Sequence, residues 1–173
     1  MNTQLLALLF ITLGVFTRII PHADNFTAVY AIALFAGVFL NNKKIALLVP
    51  ILIMFISDLI LGLGMDIVVY ISFLCIVVLG TLLQQNKISL TSILTFSIAS
   101  SLIFFTLTNL SVWWTSTPAN GIYFYPKTIS GLIKCYYLAI PFFWNTLFST
   151  ITYSIIMFYS FSIIKNRFLI KLK

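Results

Sequence analysis

The stretch IALLVPILIMFISDLILGLG, residues Ile45 to Gly64, decides the fold. Up to Leu63 it contains one ionisable residue, Asp58, in an otherwise apolar run broken only by Pro50 and Ser57. A helix of about 20 apolar residues crosses a hydrocarbon core ~30 Å thick. The run therefore reads as a membrane span, with Pro50 in its first turns and Gly62-Leu63-Gly64 as its exit.

Reading outward in both directions finds five more spans. The first runs from about Thr3 to Ile20 and stops at Pro21, which disfavours helix in the residue before it. A second, shorter one covers Phe26 to Leu40 and ends at Asn41-Asn42-Lys43-Lys44. The fourth covers Ile67 to Leu83, the fifth Leu90 to about Leu110, and the sixth Ile140 to Ile164. Between the last two, Ser111–Leu138 is rich in Trp, Tyr, Pro and Gly and reads as a loop carrying a short interfacial helix. The expected fold is all-α: a polytopic membrane bundle of about six transmembrane helices, forming one integral membrane domain over residues 1–173.

Composition supports the bilayer as solvent. Of 173 residues, 61% are hydrophobic and 8% charged, against about 25% charged in soluble domains. So few charges cannot cover a soluble globule, and a soluble enzyme core or a disordered chain is excluded. Two cysteines, Cys75 and Cys135, are too few for a disulfide scaffold. The net charge of +7 would suggest nucleic acid in a soluble protein, but here it reports which loops face the cytoplasm. With the N-terminus inside, Lys43, Lys44, Lys87, Lys165, Arg167, Lys171 and Lys173 fall on the inner side. Only Arg18, Lys127 and Lys134 fall outside. That bias predicts both termini in the cytoplasm of a multi-pass protein of the bacterial inner membrane, and excludes a nucleic-acid partner.

The polar residues then become informative. Arg18, His22, Asp24 and Asn25 gather in the first outer loop, Asp58 and Asp66 around the next, and Asn109, Trp113, Tyr125, Lys127 and Lys134 around the third. An ionisable residue at membrane depth is costly and faces the bundle interior or a wet cavity. Asp58 has two readings: a helix-end carboxylate paired with Arg18 or Lys134, or part of a ligand pocket. Arg18, on the side poor in positive charge, is expected to pair with Asp24, Asp58 or an anionic ligand group. Asp24 or Asn25 can cap the second helix. In that helix Ala31, Ala33, Ala36 and Gly37 allow close packing, or a docking face for a partner subunit. Trp113, Trp114, Tyr123 and Tyr125 form either an interfacial belt or an aromatic wall over an outward pocket. Cys75, near the middle of the fourth span, reads as packing or as a soft ligand to a metal such as cobalt. No set of residues nominates itself for catalysis.

Several separated motifs carry a resemblance. They are Arg18-x-x-Pro21-His22-x-x-Asn25-Phe26-Thr27, Ala31-x-Ala33-Leu34-Phe35-Ala36-Gly37, Ser57-Asp58-Leu59 and Tyr70-x-Ser72-Phe73. Further along come Val112-Trp113, Tyr125-Pro126-Lys127-Thr128-x-x-Gly131-Leu132, Cys135-Tyr136 and Pro141-Phe142-Phe143. From about residue 18 to 150 the chain resembles a family of small bacterial membrane proteins that look like substrate-binding S components of energy-coupling-factor vitamin transporters. The resemblance implies six helices, both termini inside, and an outward pocket built by the odd-numbered loops. It implies as partners a vitamin-like ligand and an energy-coupling transmembrane subunit with its ATPases. The nearest functional analogues, BtuM-like cobalamin importers, ligate cobalt through a cysteine. By that analogy the ligand is cobalamin and Cys75 its cobalt ligand.

The expected function is thus a membrane-embedded, non-catalytic binding protein for micronutrient uptake. The ligand contacts would come from Arg18, His22, Asn25, Asp58, Asn109, Trp113, Tyr125 and Lys127. Two rivals stand beside it: an intramembrane enzyme acting on a lipid or cofactor, and a structural or assembly subunit without a small ligand.

Overall fold

The structure, a computed structural model, describes residues 3–83 and 85–170. Among these residues it is all helix, without strands: α1 (Thr3–Ile19), α2 (Val29–Phe39), α3 (Lys43–Leu61), α4 (Ile67–Leu82), α5 (Leu90–Thr115), α6 (Ile129–Leu138) and α7 (Ile140–Ile170). Short 3-10 turns occupy Gln85–Lys87 and Pro118–Tyr123. The basic tail Lys165–Lys173 and Tyr123 lie outside the described side chains. Three helical segments, Lys43–Leu61, Leu90–Thr115 and Ile140–Ile163, are long and apolar enough to cross a membrane. Three shorter apolar helices, Leu5–Ile19, Val29–Phe39 and Ile67–Leu82, accompany them.

The shortest of these helices sits at the centre. At about 1.5 Å per residue the 11-residue α2 is only ~16 Å long, about half a hydrocarbon core. Every residue from Val29 to Val38 is buried, so its backbone is shielded by neighbouring helices instead of lipid. The alanines and Gly37 of α2 are therefore packing residues, and the docking-face reading of this helix is corrected: none of them reaches the surface. At the crossing with α4, Gly37 and Gly80 face each other. A Cβ built on Gly37 would lie 2.1 Å from the Val77 carbonyl oxygen, and one on Gly80 would lie 2.4 Å from that of Leu34. The two backbones touch because neither side chain is there, the device that small residues provide in membrane helices.

The remaining helices wrap this pair. α1 runs parallel to α3, as Gly14 against Ile53 and Arg18 against Ser57 and Asp58 require. Phe35 of α2 is ringed by Phe10, Phe39, Phe158 and Phe161, with centroids 4.4 to 5.3 Å away. Polarity is inverted relative to a soluble protein. Ser57, Asp58, Ser100, Ser101 and Thr150 are buried, whereas Leu8, Phe16, Leu59, Ile67 and Leu82 are exposed. An apolar solvent favours that arrangement, since inward polar groups find partners there and outward apolar ones lose nothing.

Helix ends depart from expectation in two places. α5 continues past Leu110 to Thr115, so Trp113 and Trp114 belong to a helix and not to a loop. Nothing in Ser111–Thr115 breaks a helix, and the first breaker is Pro118. α2 is not capped by Asp24 or Asn25: its N-cap is Ala28, without a side-chain cap. Instead the Ala28 N–H donates to Thr17 Oγ1 of α1 at 3.3 Å. Opposite this end, Lys43 Nζ donates to the Gly37 and Leu40 carbonyls, and Asn42 caps α3.

Candidate functional site

At the end of the bundle where α1, α3 and α5 finish, a buried ion pair marks the site. Arg18 is the last basic residue of α1, and Asp58 lies one turn before the end of α3. Arg18 Nη1 donates to Asp58 Oδ1 at 2.7 Å, to Ser57 Oγ at 2.5 Å and to the Met54 carbonyl at 3.4 Å. Tyr70, in the first turn of α4, donates its hydroxyl to Asp58 Oδ2 at 2.9 Å. Both carboxylate oxygens are thus engaged. The side chains are 14% and 6% exposed. Of the pairings open in the sequence, the structure chooses Arg18 with Asp58. The α3 backbone turns away immediately after, through Gly62 in the left-handed region (φ 67°), whose N–H and that of Leu63 donate to the Asp58 carbonyl.

The arginine is not used up by this pair. Its Nε and Nη2 have no acceptor among the described residues, and the side chain reaches a cavity of about 340 Å³. Arg18, His22, Asn25, Asp58 and Tyr70 line it, with Tyr30 and Phe73 deeper in. His22 is exposed at the rim, where its ring nitrogens meet the Ala23 and Arg18 carbonyls. Asn25 takes a left-handed conformation (φ 63°), which asparagine tolerates better than most residues. That bend is held from α7, where Ser149 donates to the Asn25 carbonyl and Asn145 to that of Asp24.

A second cavity, of about 540 Å³, lies beside the first and shares Asn25, Asp66, Val69 and Phe104 with it. Its wall is aromatic: Phe104, Phe105, Tyr125, Phe142 and Phe143. Asn109, Thr108 and Thr146 add neutral polar groups, and Cys135 lines one side. Burial pushes the Cys135 thiol up from its usual range, and its Sγ–H points to the Asn109 carbonyl at 3.5 Å. The segment between α5 and α6 closes over this side. Trp113 Nε1 donates to the Pro126 carbonyl at 2.9 Å, and Lys127 Nζ donates to the Trp113 carbonyl while lying 5.4 Å from the Trp113 ring centroid. Gly131 lets this segment fold tightly, since a Cβ there would meet the Pro126 oxygen at 2.1 Å.

The expected ligand residues thus fall into three groups. Arg18, His22, Asn25 and Asp58 surround the smaller cavity, and Asn25, Asn109 and Tyr125 the larger. Trp113 and Lys127 line neither; they hold each other and the segment that covers the larger cavity. Cys75 is half-buried on α4 and lines neither cavity. No group of three or more His, Cys, Asp or Glu side chains that could hold a metal ion occurs among the described residues. Tyr70, Phe104, Phe105 and Phe143 are lining residues beyond the expected ligand set, and only Tyr70 and Phe143 belong to the motifs that carry the resemblance.

A family profile covers residues 1–171, nearly the whole chain. The chain belongs to a family of unknown function (DUF6580). No curated protein matches it, and no solved structure does. Membership of DUF6580 assigns no activity, so the chemistry of the two cavities carries the functional argument.

Proposed function

We propose that this protein is a six-span membrane protein, with both termini in the cytoplasm of the bacterial inner membrane, that binds a vitamin-like small molecule for uptake without transforming it. The observation that carries the reading is the pair of adjoining cavities that meet at Asn25, Asp66, Val69 and Phe104. They lie at the end opposite Lys43, Lys44 and Lys87, which in the proposed topology faces outward. Volumes of about 340 and 540 Å³ fall within the ~300–1,000 Å³ of small-molecule sites, and aromatic walls with a few convergent polar groups are their usual lining. They favour a ligand of one or two ring systems over a corrinoid macrocycle. Arg18, His22, Asn25, Asn109 and Tyr125 would orient it, Asp58 would hold Arg18 in place, and Trp113 with Lys127 would keep the covering segment closed. Uptake would then require an energy-coupling transmembrane subunit with its ATPases, or reorientation of the chain by itself.

The test is ligand binding by the full chain purified in detergent. Thermal unfolding is followed with cobalamin, cobinamide, biotin, riboflavin or thiamin present. The reading expects at least one of them to raise the midpoint in a concentration-dependent way. It expects that shift to shrink in Asn109→Ala and Phe104→Ala. A protein indifferent to all five ligands overturns the reading. A corrinoid-specific shift abolished by Cys75→Ala would return the site to α4.

A further inference from the structure

Charge in the cleft narrows the ligand class. Resting on the binding reading above, we infer that the larger cavity is built for an organic cation carrying a flat ring. Asp66 is the one charged residue lining that cavity among the described residues. The smaller cavity adds Arg18 and Asp58, but these neutralise each other at 2.7 Å. Apart from the His22 imidazole at the rim of the smaller cavity, what remains across both is a single carboxylate, set where they meet.

Asp66 also has a structural duty. Its Oδ1 caps α4, accepting from the Val68 and Val69 N–H groups at 2.9 and 3.4 Å. The helix terminus offsets roughly half a charge. Oδ2 has no donor among the described residues, and the residue is exposed where the two cavities meet. No lysine lines either cavity among the described residues: Lys127 is held on the Trp113 carbonyl, from where its charge reaches the Cys135 thiol, and Lys134 is outside both linings.

The walls favour the same sign. Phe104, Phe105, Tyr125 and Phe143 line the larger cavity, and the face of an aromatic ring carries partial negative charge. Cations, above all quaternary and ring-borne ones that are weakly hydrated, are attracted to such faces, most strongly when desolvated. An anionic ligand would meet Asp66 and these faces with no free cation in the larger cavity to offset them. The acceptors of such a ligand would instead find the remaining donors of Arg18 next door.

The experiment is calorimetric titration of the full chain in detergent with ligands of three charges: thiamin and benzyltrimethylammonium as cations, riboflavin as a neutral ring system and biotin as an anion. A cation should bind, and Asp66→Asn should weaken it about tenfold. Asn caps a helix as well as Asp, so the fold should persist; Asp66→Ser, another good cap, gives a second reading. Phe143→Leu should weaken the same cation by several-fold while leaving the unfolding midpoint nearly unchanged. Binding of riboflavin or biotin without any cation overturns the inference and leaves the binding reading standing. Cation affinity unchanged by both Asp66 substitutions overturns it as well. Failure of every ligand, cobalamin and cobinamide included, overturns the binding reading and this inference together.

Discussion

Removing one partner of the Arg18–Asp58 pair should cost far more than removing both. At 2.7 Å and an effective dielectric of about 20, the gross attraction is about 6 kcal/mol. Most of that offsets desolvation, so the net value of the pair is small, whereas stranding either charge costs about 3–5 kcal/mol. Asp58→Leu leaves a guanidinium with Ser57 and Met54 as neutral acceptors. Because Arg18 keeps 14% exposure to the cavity, the low end applies, about 3 kcal/mol. Arg18→Met leaves a carboxylate 6% exposed, with the Tyr70 hydroxyl still donating to it, for a similar loss. The double variant replaces the pair by apolar groups of comparable volume and should fall within about 1 kcal/mol of the parent. The expected coupling is thus on the order of 4 kcal/mol or more. Unfolding in mixed micelles by increasing the SDS fraction, followed by tryptophan fluorescence, measures all four corners of the cycle. A double variant as destabilised as the sum of the singles, with coupling below about 0.5 kcal/mol, would refute the claim that these residues act as a buried pair.

Other outcomes follow from the same coordinates. Gly37→Ala places a methyl 2.1 Å from the Val77 carbonyl oxygen and should destabilise by about 1–3 kcal/mol or more; Gly80→Ala on the same crossing should add less than its own cost, read by the same SDS titration. Cys135 should alkylate more slowly at pH 8 than an exposed thiol, because its raised pKa leaves less thiolate, and the rate should climb as pH rises. A bound ligand should slow it further, as peptide mass spectrometry of labelled protein would show. Gly131→Ala meets the Pro126 carbonyl oxygen at 2.1 Å and should displace the segment beside the larger cavity, weakening ligand affinity by several-fold and lowering the unfolding midpoint as well. In a Cys-free background, Ile122→Cys should label with an impermeant maleimide from outside intact spheroplasts and Lys87→Cys only after lysis; the reverse pattern refutes the proposed orientation.

Contrast set what could be read in advance. Asp58 stood out because a charge inside an apolar run is expensive and needs a partner, which the structure supplies as Arg18. The helices were legible for the same reason: Pro21, Asn41-Asn42 and Gly62-Leu63-Gly64 interrupt otherwise continuous apolar runs. Phe104, Phe105 and Phe143 had no contrast, being aromatic residues in apolar helices, so nothing local separated a cavity wall from a lipid face. The capping of α2 was misread because a local donor–acceptor rule was applied to a loop whose partners are distant. Thr17 accepts the Ala28 N–H from α1, and Asn145 and Ser149 hold the bend at Asn25 from more than 100 residues away.

That difference also explains why the polar half of the cleft is more legible in the sequence than the aromatic half. In a bilayer a buried polar group without a partner is costly, so its presence constrains three-dimensional structure even when the partner is unknown; among the described residues the Ser97 and Ser154 hydroxyls are buried without one. An aromatic ring in a span is satisfied by lipid and protein alike. Its role depends on which way the helix is rotated, and in α5 apolar residues occur on every side. Ser97, Ser100 and Ser101, all buried, turn one face of α5 inward, and Phe104 follows on that face one turn later. Phe104, on the face that these small residues bury, lines both cavities.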